Sequence, residues 1–395
     1  VVNWSELAAG RTARLKPSAI REILKLTQRG DVISFAGGLP APELFPVNAI
    51  RSAAERVLRD HGSAALQYST TEGHPPLREW VASRYAGVGA EAVQIVSGSQ
   101  QGLDLVAKCY LDPGDAVAVA APTYPGALRA FDAYEVRYRE VEIDDDGLVP
   151  ASLQHALDDG VKLIYVIANF DNPTGVSLSL PRRHAVVDLA RRYGVPIFED
   201  NPYGDLRFEG HDLPHLLDLA PELVIHAGTF SKIMVPGFRL AWLVAPAEAM
   251  EPIRKAKQAA DLHTSTFVQY VALEVARDGF LDERVTVVRE HYRGRRDLML
   301  GALERCLGEG FRWTRPAGGM FVWISVPDGL DTTVLAKDAV QAGVAYVPGE
   351  AFYGTGRGTD GLRLSYSVAT PEQIDSGIAR LAAILNGTTP PPASE

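Results

Sequence analysis

Lys232 stands in the stretch "HAGTFSKIMVPGFRLAW", with Thr229 and Ser231 just before it, a Pro-Gly turn after it, and Arg239 seven residues on. A solvent-facing lysine needs no such setting. A lysine that must meet an aldehyde carrying a phosphate does, because its amine condenses with the carbonyl while hydroxyls, amides and a guanidinium hold the phosphate.

Four other stretches offer matching chemistry, each after an apolar run of strand length. "VSGSQQG" leads from a strand into a helix and presents Ser99 and Gln100, whose amides suit a phosphate at a helix start. "APTYPG" offers the ring of Tyr124, "NFDNPTG" offers Asn172, and "IFEDNPYGDL" offers Asp200 followed by Tyr203. Singly, each has a plainer explanation. Asp200 suits a cap, the tyrosines suit packing, and an Asn before Pro-Thr-Gly suits a turn. Together they are what pyridoxal phosphate requires: a lysine for the aldehyde, a carboxylate to keep the ring nitrogen protonated, donors for the phenolic oxygen, an aromatic face, and a phosphate cradle.

The elements that must position these groups follow from the pattern of the chain. The apolar runs "AVQIVS", "DAVAVAA", "KLIYVIANF", "VPIFED", "LVIHAG" and "LAWLVA" alternate with helical segments, which predicts an α/β layer with a mainly parallel sheet. In such sheets ligands bind beyond the carboxyl ends of the strands, where all of these residues fall. Beyond residue 281 the texture changes to a long charged helix, then "GGMFVWISV", "AYVPG", "GLRLSYS" and a last helix, which reads as an α+β unit. The expected division is 1–45 as the N-terminal helix and strand of the small domain, 46–281 as the large domain, 282–387 as the small C-terminal domain, and 388–395 as a disordered tail. "PSAIREILKLTQRG" reads as an amphipathic helix in the first of these.

Composition excludes other classes. The chain has 395 residues, 46% of them hydrophobic, and a net charge of −10, so it has ample core and no basic stripe for nucleic acid. Its two cysteines, Cys109 and Cys306, lack ligand spacing, and with no signal pattern in "VVNWSELAAG" the cytoplasm is the expected compartment. No apolar run is long enough to span a membrane as a helix. "GTGRGTDG" precedes a strand rather than a helix and so lacks the context of a dinucleotide loop. "SGSQQG" lacks the spacing of a nucleophile elbow. The nine histidines are scattered, without a metal motif.

Nearly the whole chain resembles the fold-type I, pyridoxal-phosphate-dependent aminotransferases of class I and II. Within them it is most similar to the LysN-type 2-aminoadipate aminotransferases and their kynurenine/2-aminoadipate relatives, through "IREILKLTQ", "ISFAGGLPAPELFP", "LQYSTTEGHPPLR", "GSQQGLDLV", "KQAADLHT", "RPAGGMFVW" and "LRLSY". The resemblance implies a homodimer that moves an amino group between an amino acid and a 2-oxoacid. It implies that Lys232 carries the cofactor and serves as the base, that Asp200 pairs with the ring nitrogen, and that Asn172 and Tyr203 bond the phenolic oxygen. Tyr124 then stacks on the ring, and Ser99, Gln100, Thr229, Ser231 and Arg239 hold the phosphate. Tyr68 reaches the phosphate of the neighbouring subunit. Arg363 grips the substrate α-carboxylate with help from Asn172, Gly38 lies against the substrate, and Ser18 and Arg21 attend its side chain. The implied donors are 2-aminoadipate, glutamate, leucine-type and aromatic amino acids. Two stretches depart from the family pattern, Asp171 in place of glutamine and "SKIMVPGFR" in the lysine loop. These leave open a pyridoxal-phosphate enzyme of another reaction class, an oxidase, lyase or replacement enzyme; a non-catalytic module that only binds the cofactor is the remaining alternative.

Overall fold

A computed structural model of the chain describes residues 2–15 and 32–390. Among these residues one large sheet has eight strands: β2 (Val93–Val96), β3 (Ala116–Ala121), β4 (Arg137–Asp144), β5 (Gly147–Leu148), β6 (Val161–Val166), β7 (Ile197–Asp200), β8 (Val224–Thr229) and β9 (Ala241–Val244). Their order across the sheet is β2-β9-β8-β7-β6-β3-β4-β5. The pairs from β4 through β3, β6 and β7 to β8 are all parallel, whereas β9 runs antiparallel to both β8 and β2. The central strands are continuous apolar runs, all but Lys162 buried in β6 and every residue buried in β8, because helices cover both faces.

The sheet is therefore mixed, with β9 as its reversed member. β4 breaks the apolar pattern of its neighbours. Its sequence "RYREVEID" carries charge on most residues, and only Val141 is buried, since β4 is covered on its outer side only by the two-residue β5.

A second, four-stranded sheet among the described residues has the order β10 (Arg312–Trp313), β11 (Phe321–Ser325), β14 (Gly361–Ser365), β13 (Val347–Pro348), antiparallel throughout. β1 (Ile33–Ser34) pairs in parallel with β12 (Val344–Ala345). Phe35 then continues the contact, its N–H donating to Ala345 and its carbonyl accepting from Ser365. The N-terminal strand is thus tied to C-terminal residues before the chain turns into "GGLP". The 27-residue helix Phe280–Cys306 packs against the helix Pro371–Leu385, closing the core behind this sheet.

Candidate active site

Strands β2, β3, β6, β7 and β8 point the same way, and their carboxyl ends lie along one edge of the large sheet. The loops that leave this edge carry Ser99 and Gln100 after β2, Tyr124 after β3, Asn172 after β6, Tyr203 after β7 and Lys232 after β8. All six line one cavity of about 810 Å³, together with Gly38, Asp200, Thr229, Ser231, Arg239 and Arg363. Tyr68 is elsewhere. It is 79% exposed and stands edge-on to His263, outside this cavity. Ser18, Arg21 and the stretch "PSAIREILKLTQRG" expected to form a helix lie outside the described residues.

Lys232 Nζ donates to the carbonyl of Gly38 at 2.8 Å, which joins the lysine loop to the N-terminal segment. Burial lowers its pKa to about 8, assisted by the positive charges of Arg363 and Arg239. An amine so placed is a competent nucleophile and base near neutral pH.

Asp200, the last residue of β7, is 2% exposed. Its Oδ2 accepts a hydrogen bond from the Tyr165 hydroxyl at 3.0 Å, while Oδ1 is buried with no hydrogen-bond partner. Burial raises the carboxyl pKa to about 6, although the Tyr165 bond and the charge of His226 act the other way. A buried acceptor without a donor is costly, and a cationic N–H against Oδ1 would satisfy it and pull the pKa back down. That is the requirement of a protonated pyridine nitrogen.

Arg363, in the middle of β14, is 1% exposed and lies between two phenyl rings, 4.3 Å from Phe321 and 5.1 Å from Phe352. It donates to Asn172 Oδ1 at 2.8 Å and to the Ala36 carbonyl at 2.6 Å, and its Nε has no partner. Burial lowers its pKa to about 10, so it stays cationic at neutral pH. Asn172 Oδ1 is thus committed to Arg363, and Tyr203 lines the same cavity. These groups form a fixed fork of donors at the cavity wall, suited to a carboxylate.

The opposite end suits a phosphate. Helix Ser99–Tyr110 begins at Gly98, which caps it with no side chain, so its first amides stay available. Arg239 has the left-handed φ of +48°, unusual for a residue with a Cβ, and that turn brings its guanidinium over Gly98. A Cβ on Gly98 would fall 2.4 Å from Arg239 Nη2, and Gly98 itself has φ +91°. Thr229 and Ser231 are hydrogen-bonded to each other at 3.0 Å alongside. Gly98→Ala should therefore displace Arg239 and strain the loop. At about 1–3 kcal/mol of strain the expected loss is roughly tenfold or more in cofactor affinity, read by titrating cofactor-free protein with pyridoxal phosphate.

The two departures from the family pattern prove to be packing features. Asp171 does not line the cavity. Its carboxylate accepts from the Thr174 hydroxyl at 3.0 Å and closes the turn that presents Asn172, and burial raises its pKa to about 7. Ile233, Met234 and Val235 are all buried in the core. Several site features carry no signal in the sequence. Phe321 is one apolar residue among several in "GGMFVWISV", and it lines the cavity with Leu39, Pro40 and Arg129. On the reverse face of β7 and β8, Glu199, His215 and His226 gather, the His226 ring nitrogens bonding Glu199 at 2.8 Å and the Tyr85 hydroxyl at 3.0 Å. Glu199 also accepts the amides of Leu216 and Leu217, so its acceptors are used within the protein.

Comparison with known proteins agrees with this geometry. Residues 31–381 match the family model described as aminotransferase class I and II. The chain is 44% identical over 391 residues to aromatic-amino-acid aminotransferase 1 of Thermococcus litoralis, covering 96% of this chain and 93% of that one. It is 44% identical over 391 residues to the 2-aminoadipate transaminase of Thermus thermophilus, covering 98% of each. Among solved structures, the α-aminoadipate aminotransferase LysN of Thermus thermophilus, complexed with N-(5'-phosphopyridoxyl)-L-leucine, superposes with a TM-score of 0.92 at 42% identity, covering 98% of this chain and 99% of that one. The buried orphan oxygen of Asp200, the Gly98–Arg239 cradle and the cavity amine of Lys232 fit the cofactor those enzymes use. The chain belongs to the class I and II aminotransferases, enzymes of fold type I that move amino groups with pyridoxal phosphate.

Proposed function

We propose that this aminotransferase takes 2-aminoadipate and glutamate, and also leucine-type and aromatic amino acids, as donors to a 2-oxoacid. The observation that carries the residue roles is the one cavity lined by Lys232, by Asp200 with its unpaired Oδ1, and by the hydrogen-bonded Arg363 and Asn172. When bound, pyridoxal phosphate supplies the carbon that receives the amino group and a ring that accepts the electron pair left when the substrate loses its α-proton. The chain does the rest. Ser99, Gln100, Thr229, Ser231 and Arg239 hold the phosphate, Tyr124 covers one ring face, Asn172 and Tyr203 donate to the phenolic oxygen, and Asp200 keeps the ring nitrogen protonated. Arg363 and Asn172 fix the substrate carboxylate, which orients the α-hydrogen toward Lys232. Lys232 Nζ holds and releases that proton, a task its lowered pKa suits. Gly38, as acceptor of the Lys232 bond, lies against the substrate.

We assign the partner subunit the role of completing the phosphate site through Tyr68. Its exposure, with Leu66 at 71% two residues before it and Leu262 at 54% next to the His263 it packs on, supports a dimer interface on this side. The β1–β12 pairing and the antiparallel sheet support grouping residues 1–45 with 282–387 as the small domain, the large domain being 46–281. The free thiols of Cys109 and Cys306 suit a cytoplasmic enzyme.

Substrate range comes from the relatives. One is named for aromatic amino acids and another for 2-aminoadipate. We assign Ser18 and Arg21 to the substrate side chain, with Arg21 pairing the distal carboxylate of acidic donors. Arg21→Ala is expected to lower kcat/KM for 2-aminoadipate and glutamate by about tenfold or more, since tenfold corresponds to roughly 1.4 kcal/mol. Leucine and phenylalanine should change little. Half-reactions with a panel of amino donors, followed by the cofactor's absorbance, test both the range and this split. Equal losses on acidic and apolar donors would remove the assignment.

A further inference from the structure

We propose that Tyr165 is a positioning residue for catalysis, which clamps one oxygen of Asp200 so that the other is aimed at the cofactor ring. This rests on the reading of Asp200 as the partner of the ring nitrogen.

Tyr165 lies on β6 directly beside Phe198 of β7, and Asp200 follows two residues later on the same face of that strand. Its hydroxyl donates to Asp200 Oδ2 at 3.0 Å. The tyrosine is 1% exposed and does not line the cavity, so it touches neither cofactor nor substrate. Its ring is held edge-on to Phe131, with centroids 5.7 Å apart, and inclined to Phe198 at 6.0 Å. Packing therefore seats the ring, and the bond to Asp200 fixes the hydroxyl.

The consequence concerns the direction of a charge. A carboxylate free to turn about its last bond offers its two oxygens interchangeably. Here Oδ2 is engaged, and Oδ1, buried and without a donor, is the oxygen left over for a group bound in the cavity that Asp200 lines. Burial and the nearby charge of Asp200 keep the phenol protonated far above its ordinary range, so it remains a donor at every working pH. The charged or titratable groups that act on this pair are His226 from β8, which favours the Asp200 anion, and Tyr124 and Asp171 from the loops after β3 and β6, which act on Tyr165. With the hydroxyl removed, the carboxylate loses its side-chain hydrogen bond, burial acts with less opposition, and its pKa rises further. The acid form then persists to higher pH and pairs poorly with a cationic ring.

The test is Tyr165→Phe, which deletes one hydroxyl and keeps the ring. Affinity for pyridoxal phosphate is measured by titrating the cofactor-free protein, and kcat is followed against pH in the loaded enzyme. The expected results are a roughly tenfold weaker cofactor and an acid limb of the kcat profile displaced to higher pH. Phe131→Leu loosens the same packing without touching the hydroxyl and should leave the acid limb in place. A double-mutant cycle on cofactor affinity should show the Tyr165→Phe effect vanishing in an Asp200→Ala background. If Tyr165→Phe keeps both affinity and pH profile within twofold of the parent while only the melting temperature falls, Tyr165 is a packing residue and the proposal fails. An undiminished effect in the Asp200→Ala background also overturns it. Failure of the parent protein itself to bind pyridoxal phosphate would instead refute the reading of Asp200 on which the proposal stands.

Discussion

Lys232→Ala is expected to lower turnover by at least about 10⁴-fold, the combined loss of a positioned base and a covalent nucleophile. Among the described residues that line the cavity there is no second lysine to replace it. The fold should survive, because the amine makes a single hydrogen bond, to the Gly38 carbonyl, and faces the cavity. The phosphate cradle around Gly98 and Arg239 is untouched, so the variant should still bind pyridoxal phosphate reversibly, with an absorbance of the free aldehyde type. The parent protein offers a linked measurement. Only the neutral amine attacks an aldehyde, and burial has lowered the pKa of Lys232 to about 8. The rate of cofactor capture by cofactor-free protein should therefore rise with pH and level off above about pH 8, not near the 10.5 of an ordinary lysine. Turnover in Lys232→Ala within tenfold of the parent would show that another group carries the proton.

Asp200→Asn should retain the cofactor but lose about 10²–10³-fold in turnover, the size of effect seen when one preorganised electrostatic partner is removed. The substitution is nearly isosteric, and the Tyr165 hydroxyl can still donate to the amide oxygen. What is lost is the charge. An amide cannot keep a pyridine nitrogen protonated, and an unprotonated ring is a weak acceptor for the electron pair of the departing α-proton. The loss should fall on kcat far more than on KM, because the groups proposed to hold the substrate carboxylate are Arg363 and Asn172, which the substitution leaves in place. A variant with near-normal kcat would mean that some other group serves the ring nitrogen.

Much of this site was legible because its residues sit at predictable places. Each of Tyr124, Asn172, Asp200 and Lys232 ends or follows an apolar run, and a parallel sheet brings the ends of such runs to one edge whatever their distance in sequence. Asp200 and Lys232 needed no knowledge of side-chain contacts to be paired. Other features depended on contacts no local pattern encodes. β4 carries no apolar signal, because an edge-covered strand with one buried residue has charges where its neighbours have valine and alanine. The reversal of β9 has no signal in "LAWLVA", because a continuous apolar run does not encode the direction of its strand. Phe321 and Phe352 flank Arg363 only after β11, β14 and the turn after β13 come together. Tyr165 lay in the middle of "KLIYVIANF", where a tyrosine reads as packing, and its hydroxyl acquires meaning only from the neighbouring strand. Asp171 misled in the other direction. Adjacent to Asn172 in sequence, it leaves another reaction class open on the pattern alone, yet its carboxylate is bound to Thr174 and does not line the cavity.

The most direct measurement is to identify the residue that bears the cofactor. The protein loaded with pyridoxal phosphate would be reduced with borohydride, digested, and its pyridoxyl-bearing peptide sequenced by mass spectrometry. The expected product is one modified peptide carrying the label on Lys232, with the visible absorbance lost on reduction. A pyridoxyl group on any other lysine, or no stable label after reduction, would contradict the assignment of Lys232 and the roles built around it.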